Sequence, residues 1–273
     1  MAKGQTKFLG NVMRTYIPTD YETYWNQITP EWMGKWAHVE PTRNSYNWTF
    51  LDSIYTYAKQ KGFVFKEHTF VWRVEDPSWL SGLSSADRIL EINDWMKTFC
   101  TRYPAVDLID VVNEPLHETS IYAQDLGGAG ATGWDWVIKA FEMAKANCPN
   151  SKLLINDYNI VAFEESTTKY LEIIKLLQAR DLIHGIGIQC HQLEGAGPIP
   201  ILKNLYRLAD TGLPLYVSEL DLFAADDTEQ MNLHKKIFPL LWEHPAVQGV
   251  PLSGYVTNEM SSTAGLLNGT TER

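Results

Sequence analysis

The sequence predicts an α/β protein built as a closed (β/α)8 barrel, and three observations carry that reading. Short apolar runs rich in β-branched residues alternate with amphipathic helical stretches along the whole chain, the pattern of right-handed βαβ units and a parallel sheet. Eight such runs can be marked, which fits a closed barrel better than an open doubly wound sheet. Two of them, Leu108-Ile109-Asp110-Val111-Val112-Asn113-Glu114 and Leu215-Tyr216-Val217-Ser218-Glu219-Leu220-Asp221, break off abruptly at carboxylates. A carboxylate at the end of a strand buried on both faces is costly unless it is solvated, paired or used.

Taken in order, the first strand is read over Lys7 to Val12 and a helix over Tyr21 to Ile28, with Met33 to Val39 as the second strand. Leu51, Ile54, Tyr55 and Ala58 recur at i, i+3, i+4 and i+7, a helix face that Gly62 closes as a C-terminal stop. Phe63 to Trp72 is the third strand, and Ser84-Ser85-Ala86-Asp87 opens a long helix through Trp95 and Phe99. The fourth strand carries Asn113-Glu114; a glycine-rich loop then leads to a helix bearing Trp134, Val137, Ile138 and Phe141. Leu153 to Asn159 is the fifth strand, with Tyr170, Ile173, Ile174 and Leu177 on the helix behind it. Ile183 to His191 is the sixth strand and Pro198 to Ala209 its helix. The seventh carries Glu219, and the helix after it runs through Met231 and Ile237, with Pro239 expected to bend or end it. Val247 to Val256 is the eighth strand. Only seventeen residues follow Val256, too few for a connection and a full helix, so the eighth helix is expected to be missing. No linker, low-complexity stretch or charge block divides residues 1–273, which read as one domain.

The formal net charge is −10 and no Lys/Arg cluster breaks it, which argues against nucleic acid and against anionic membrane surfaces. No apolar run approaches the ~20 residues that span a bilayer, and Met1-Ala2-Lys3-Gly4-Gln5 lacks the apolar stretch of a signal peptide. Cys100, Cys148 and Cys190 are widely spaced, odd in number and without zinc-type spacing, so free thiols are expected. The seven histidines are scattered, and no metal site is expected. Gly128-Ala129-Gly130-Ala131-Thr132-Gly133 satisfies G-x-G-x-x-G but does not directly follow a strand, so it carries no nucleotide reading. Two glycosylation sequons, Asn47-Trp48-Thr49 and Asn268-Gly269-Thr270, carry little weight. Ten Trp and thirteen Tyr exceed what a core needs; several pack inside, and the rest would suit the apolar C–H faces of sugars.

In a barrel of this kind the reactive groups sit at the carboxyl ends of the strands. Read there, the chain offers Lys35 and Trp36, His68 and Trp72, Asn113 and Glu114, Asn156 to Asn159, Gln189 and His191, and Glu219 and Asp221. Two carboxylates on distant strands, facing each other across one cleft, are the minimum equipment for cutting a glycosidic bond.

These residues closely resemble glycoside hydrolase family 10, the retaining endo-β-1,4-xylanases. The resemblance runs from Phe8-Leu9-Gly10-Asn11 to Gly265-Leu266-Leu267 and is strongest in Asp110-Val111-Val112-Asn113-Glu114, Asn156-Asp157-Tyr158-Asn159, Gly185-Ile186-Gly187-Ile188-Gln189-Cys190-His191 and Ser218-Glu219-Leu220-Asp221. It implies Glu114 as acid/base and Glu219 as nucleophile, with His191 and Asp221 holding the nucleophile ionised and oriented. It implies Asn113 as the amide on the sugar next to the scissile bond. Glu31, Lys35, His68, Trp72 and Gln189 match residues lining the glycone side, and Glu75 and Tyr158 are assigned to substrate binding with them. It further implies no cofactor, xylan or xylo-oligosaccharide as substrate, a monomer, and secretion.

The chain departs from the family pattern at several points. Trp32 follows Glu31 where the family has Asn, Glu75 stands where it has Gln, and Ser253 stands where it has Trp. A second Trp is missing near Ser261. The cleft has thus gained an indole and a carboxylate on one side and lost one or two indoles on the other. Two rivals follow from this. One is an inactive or carbohydrate-binding scaffold; the other is a weak or engineered barrel whose cleft serves another glycoside or ligand.

Overall fold

A computed structural model describes residues 4–14, 16–256, 264–268 and 271–272. Eight parallel strands close a barrel in sequence order: β1 Phe8–Met13, β2 Gln27–Pro30, β3 Val64–Val71, β4 Leu108–Asn113, β5 Lys152–Asn156, β6 Gly185–Ile188, β7 Leu215–Val217 and β8 Val247–Leu252, with β8 pairing back onto β1. The helices are α1 Tyr21–Tyr24, α2 Trp36–Val39, α3 Thr49–Lys61, α4 Ser85–Arg102, α5 Asp135–Asn147, α6 Glu164–Gln178, α7 Pro198–Ala209 and α8 Asp227–Trp242. Gly62 ends α3 with φ 68°, the left-handed region where a Cβ is penalised. Ser84 caps α4, its hydroxyl accepting from the Asp87 N–H.

The second strand is where the sequence reading fails. It lies at Gln27–Pro30, overlapping the end of the stretch expected to be helical, while Met33–Val39 forms a 3-10 turn and the short α2. Gln27 and Thr29 point to the same face, where the Gln27 amide donates to the Thr29 hydroxyl at 2.8 Å, so two buried polar side chains hide the strand's apolar pattern. The apolar residues after it serve another purpose. Trp36 stacks on Trp95 of α4 at 5.8 Å, and Trp95 on Trp48 at 5.9 Å, a column of indoles that packs the core. Pro239 stands inside α8 and does not end it.

The cysteines also depart from expectation. Cys100 in α4 and Cys148 at the end of α5 are joined as a disulfide, and only Cys190 is a free, buried thiol. The pairing follows from helix packing that brings their Cα atoms to 5.4 Å, which spacing along the chain does not reveal.

Among the described residues no helix follows β8; the chain there supplies β9 Leu267–Asn268 and β10 Thr271–Glu272, an antiparallel pair. Tyr255, just past β8, packs edge-on to Trp25 at 5.2 Å and near Tyr21 of α1. Ser261 and Gly269-Thr270 of the second sequon lie outside the described residues.

Alternation along the strands sets the barrel interior. Leu108, Leu154 and Tyr216 cluster with Phe8 and Val64, a small apolar floor separate from the main core between barrel and helices. Glycine makes room for it: a Cβ on Gly249 would stand 2.2 Å from the Phe8 ring. Among the described residues, no helix is long and apolar enough to cross a membrane, and no group of three His, Cys, Asp or Glu could hold a metal ion.

The strands also bury polar side chains. Glu67 on β3 is fully buried, and neither carboxyl oxygen has a hydrogen-bond partner among the described residues. Burial pushes its carboxyl well above the ordinary value; the Lys35 charge opposes this, and those of Asp110 and Glu31 add to it. The folded state therefore holds the proton that the unfolded chain releases near its ordinary pKa, and stability is lost as pH rises above that point. Glu67→Gln should raise the melting temperature by an amount that grows from about pH 4 to about pH 8; a difference constant with pH would contradict this. Replacing Cys100 and Cys148 together by Ser frees a loop of 48 residues and should cost roughly 2–4 kcal/mol in denaturant unfolding.

Candidate active site

The site rises from a buried ion pair. Lys66 of β3 and Asp110 of β4 lie side by side in the barrel, Nζ to Oδ2 at 2.7 Å. Such a pair is stable only if further hydrogen bonds offset the lost hydration. Here the same Asp110 oxygen takes the Nδ1–H of His68 at 2.9 Å. Burial pushes the Asp110 carboxyl up, but the Lys66 charge and the His68 bond outweigh it and hold the group below its ordinary value. With Nδ1 spent, His68 Nε2 stands 3.9 Å from both Glu31 and Glu219.

Glu219 lies two residues beyond β7. Its Oε1 accepts from Asn156 Nδ2 at 3.1 Å, and its Oε2 is 3.3 Å from His191 Nε2. His191 Nδ1 meets Asp221 Oδ2 at 2.5 Å. Burial pulls the His191 pKa down, yet the bonds to Asp221 and Glu219 prevail and it is pushed up to about 10. The ring therefore carries both protons and donates from both nitrogens. Burial likewise pushes Glu219 up, but His68, the His191 bond and charge, and Lys66 hold its carboxyl far below the usual carboxylate range.

Glu114 experiences the opposite field. It follows β4 in a left-handed turn, φ 55°, a conformation that costs a non-glycine residue about 1–2 kcal/mol. The turn is pinned by Glu114 N donating to Asn156 O at 2.7 Å, and by its own carbonyl accepting from His117 N and Glu118 N. The carboxyl accepts from Trp72 Nε1 at 2.8 Å and from Gln189 Nε2 at 2.9 Å. Burial pushes it up, Gln189 and Trp72 restrain it, and the charges of Glu219 and Asp157 add, for a net rise. Two carboxyls in one network are thus driven in opposite directions, the arrangement that separates an acid from a base.

Amides connect them. Asn113 Oδ1 accepts from Asn156 Nδ2 at 2.9 Å and from Gln189 Nε2 at 3.1 Å. That leaves the buried Nδ2 of Asn113 without a partner among the described residues. Ser218 Oγ donates to Asn156 Oδ1 at 2.8 Å and fixes which way that amide points. On the other flank, Lys35 Nζ pairs with Glu31 at 2.8 Å and sits 4.8 Å over the Trp72 ring, so Glu31, Lys35 and Trp72 lead directly to Glu114.

Not every residue singled out from the sequence joins this network. Glu75 pairs with His38 Nε2 at 2.8 Å, the His38 ring lies 5.0 Å from Trp32, and the Arg14 guanidinium stands 4.9 Å from the same indole. The added carboxylate and the added indole are therefore parts of one cluster, in which Glu75 is bonded to His38. Ser253 is buried after β8, its N–H donating to Leu220 O at 2.9 Å. Tyr158 stands beside the Glu114 loop, its ring 3.8 Å from that of His117. Lys66 and His117 escaped the sequence reading, and Asp110 and Ser218 were given no role of their own although each opens a quoted motif. Charges inside the apolar runs of β3 and β4 were the available signal for Lys66 and Asp110; nothing local marks Ser218 or His117.

The sequence model of glycosyl hydrolase family 10 matches residues 2–264. Endo-1,4-beta-xylanase B of Cellvibrio japonicus is 40% identical over 257 residues, covering 92% of this chain and 41% of that protein. The chain thus spans less than half the length of this relative. Native xylanase 10B from Thermotoga maritima superposes with a TM-score of 0.82 at 25% identity, covering 93% of this chain and 85% of that one. Xylanase 10B from Thermotoga petrophila, solved in complex with xylobiose, gives a TM-score of 0.80 at 25% identity, covering 92% and 83%.

Proposed function

The chain belongs to glycosyl hydrolase family 10, and on that premise we propose that it is a retaining endo-β-1,4-xylanase acting on xylan and xylo-oligosaccharides. The observation that carries this reading is two carboxyls held in one amide-linked network, Glu114 by the neutral Trp72 indole and Gln189 amide and Glu219 by Asn156 and His191. Glu219, ionised and held by His191 and Asn156, attacks the anomeric carbon. Glu114, protonated, gives its proton to the leaving oxygen and in the second step takes one from water. The unspent Nδ2 of Asn113 is a donor for a hydroxyl of the sugar at the cleavage point. Glu31, Lys35, His68, Trp72 and Gln189 line the glycone side, and no cofactor takes part. The enzyme works as a secreted monomer. Secretion accords with the Cys100–Cys148 disulfide, since such bonds persist in oxidising compartments.

Glu219→Ala should abolish hydrolysis and recover with azide to give a product of inverted configuration. Glu114→Ala should spare the first step on substrates with good leaving groups, which need little protonation. Identical behaviour of the two variants on activated and natural substrates would overturn the roles. The pH dependence follows from the same shifts. Activity should fall on the acid side only where Glu219 is protonated, below the ordinary carboxylate value, and on the alkaline side where Glu114 loses its proton, above that value. Ser253→Trp should restore an apolar floor and raise kcat/KM on xylan at least tenfold, about 1.4 kcal/mol; unchanged kinetics would favour a cleft shaped for another glycoside.

A further inference from the structure

His117 lies three residues after Glu114, on the turn whose amides bond back to the Glu114 carbonyl. Its Nδ1 donates to Asp157 Oδ1 at 2.6 Å. Asp157 is fully buried and also accepts from Leu116 N at 2.9 Å and Tyr158 N at 2.8 Å, so one carboxylate ties the loop after β4 to the loop after β5. The Tyr158 ring lies 3.8 Å from the His117 ring at 20°, face to face. These loops stand on the side of β4 away from β3, whose Trp72 lines the glycone side. The groups facing His117 are Glu114 and Glu118 from its own loop and Asp157 and Tyr158 from the next, with Arg73 3.7 Å from Glu118. The Asp157 bond comes first in keeping the His117 proton; burial opposes it, and the charges of Asp157, Glu114 and Glu118 add. Asp157 in turn is one of the two negative charges acting on Glu114.

We propose that His117 is a positioning residue for the acid/base side of the cleft, carrying the Tyr158 ring beneath the departing sugar and, through its bond to Asp157, offsetting the negative charge that Asp157 presents to Glu114. This rests on the xylanase reading above. Two variants separate its parts. His117→Asn keeps a donor for Asp157 but loses ring and charge; His117→Phe keeps the ring but loses donor and charge.

On xylohexaose, His117→Asn, which leaves the buried Asp157 a donor, should move the alkaline limb of kcat/KM to higher pH, on the order of half a unit, because the Asp157 charge is no longer offset. KM should rise about threefold in His117→Asn only, since the Phe ring still backs Tyr158. On 2,4-dinitrophenyl β-xylobioside, whose leaving group needs no proton, neither change should appear. Circular dichroism confirms that each variant is folded, and a merely structural role would leave the limb in place in whichever variant folds. If His117→Asn keeps the alkaline limb and the KM of the unmutated protein, the inference is overturned. If the unmutated protein fails to cleave xylohexaose, the xylanase reading falls and takes this inference with it.

Discussion

The site depends on how the barrel keeps Glu219 charged in its interior. An isolated carboxylate buried this deeply would cost several kcal/mol and would take up a proton instead. The chain answers with a ladder of polar contacts that climbs the barrel: Lys66 against Asp110, Asp110 against His68, His68 near Glu219, Glu219 against His191, and His191 against Asp221. Each group gives the next a polar partner. The individual contacts are not independent, because removing Lys66 would strip Asp110 of its cation and let the His68 tautomer change.

Glu114 belongs to a different regime. Its contacts are neutral donors, the Trp72 indole and the Gln189 amide, which restrain a carboxylate less than a cation does. The two carboxyls differ because of which strands flank them. β4 ends beside the amides of β5 and β6, whereas β7 ends beside His191 and above the Lys66 pair. Parallel closure of eight strands makes this possible, since it delivers every strand's carboxyl end to one rim.

The parts of this arrangement that were legible in the sequence are those where a local pattern breaks. Apolar runs that stop at Asn113-Glu114 or before Glu219 announce both a strand and its exposed end, and seven of the eight strands could be placed from such breaks. β2 was hidden because it turns two polar residues, Gln27 and Thr29, into the barrel, where the Gln27 amide donates to the Thr29 hydroxyl. The disulfide was hidden because α4 and α5 meet through tertiary packing across 48 residues. Lys66 and Ser218 act through neighbours on other strands, and no spacing along the chain encodes which neighbour those are. His117 looked like one loop residue among many until Asp157 and Tyr158, forty residues later, closed around it.

The departures in the cleft separate binding from chemistry. Trp32 adopts a left-handed backbone, φ 51°, unusual for a bulky residue, and is held there by His38 and Arg14. Its contacts belong to the cluster in which Glu75 is bonded to His38, so the added indole and the added carboxylate come as one unit. Ser253 is buried after β8, its N–H bonded to the Leu220 carbonyl, and lies outside both clusters. None of these positions belongs to the ladder from Lys66 to Asp221. The surroundings of the two carboxyls are therefore set by β3 to β7 and the residues just beyond them, and not by the side chains at positions 32, 75 and 253.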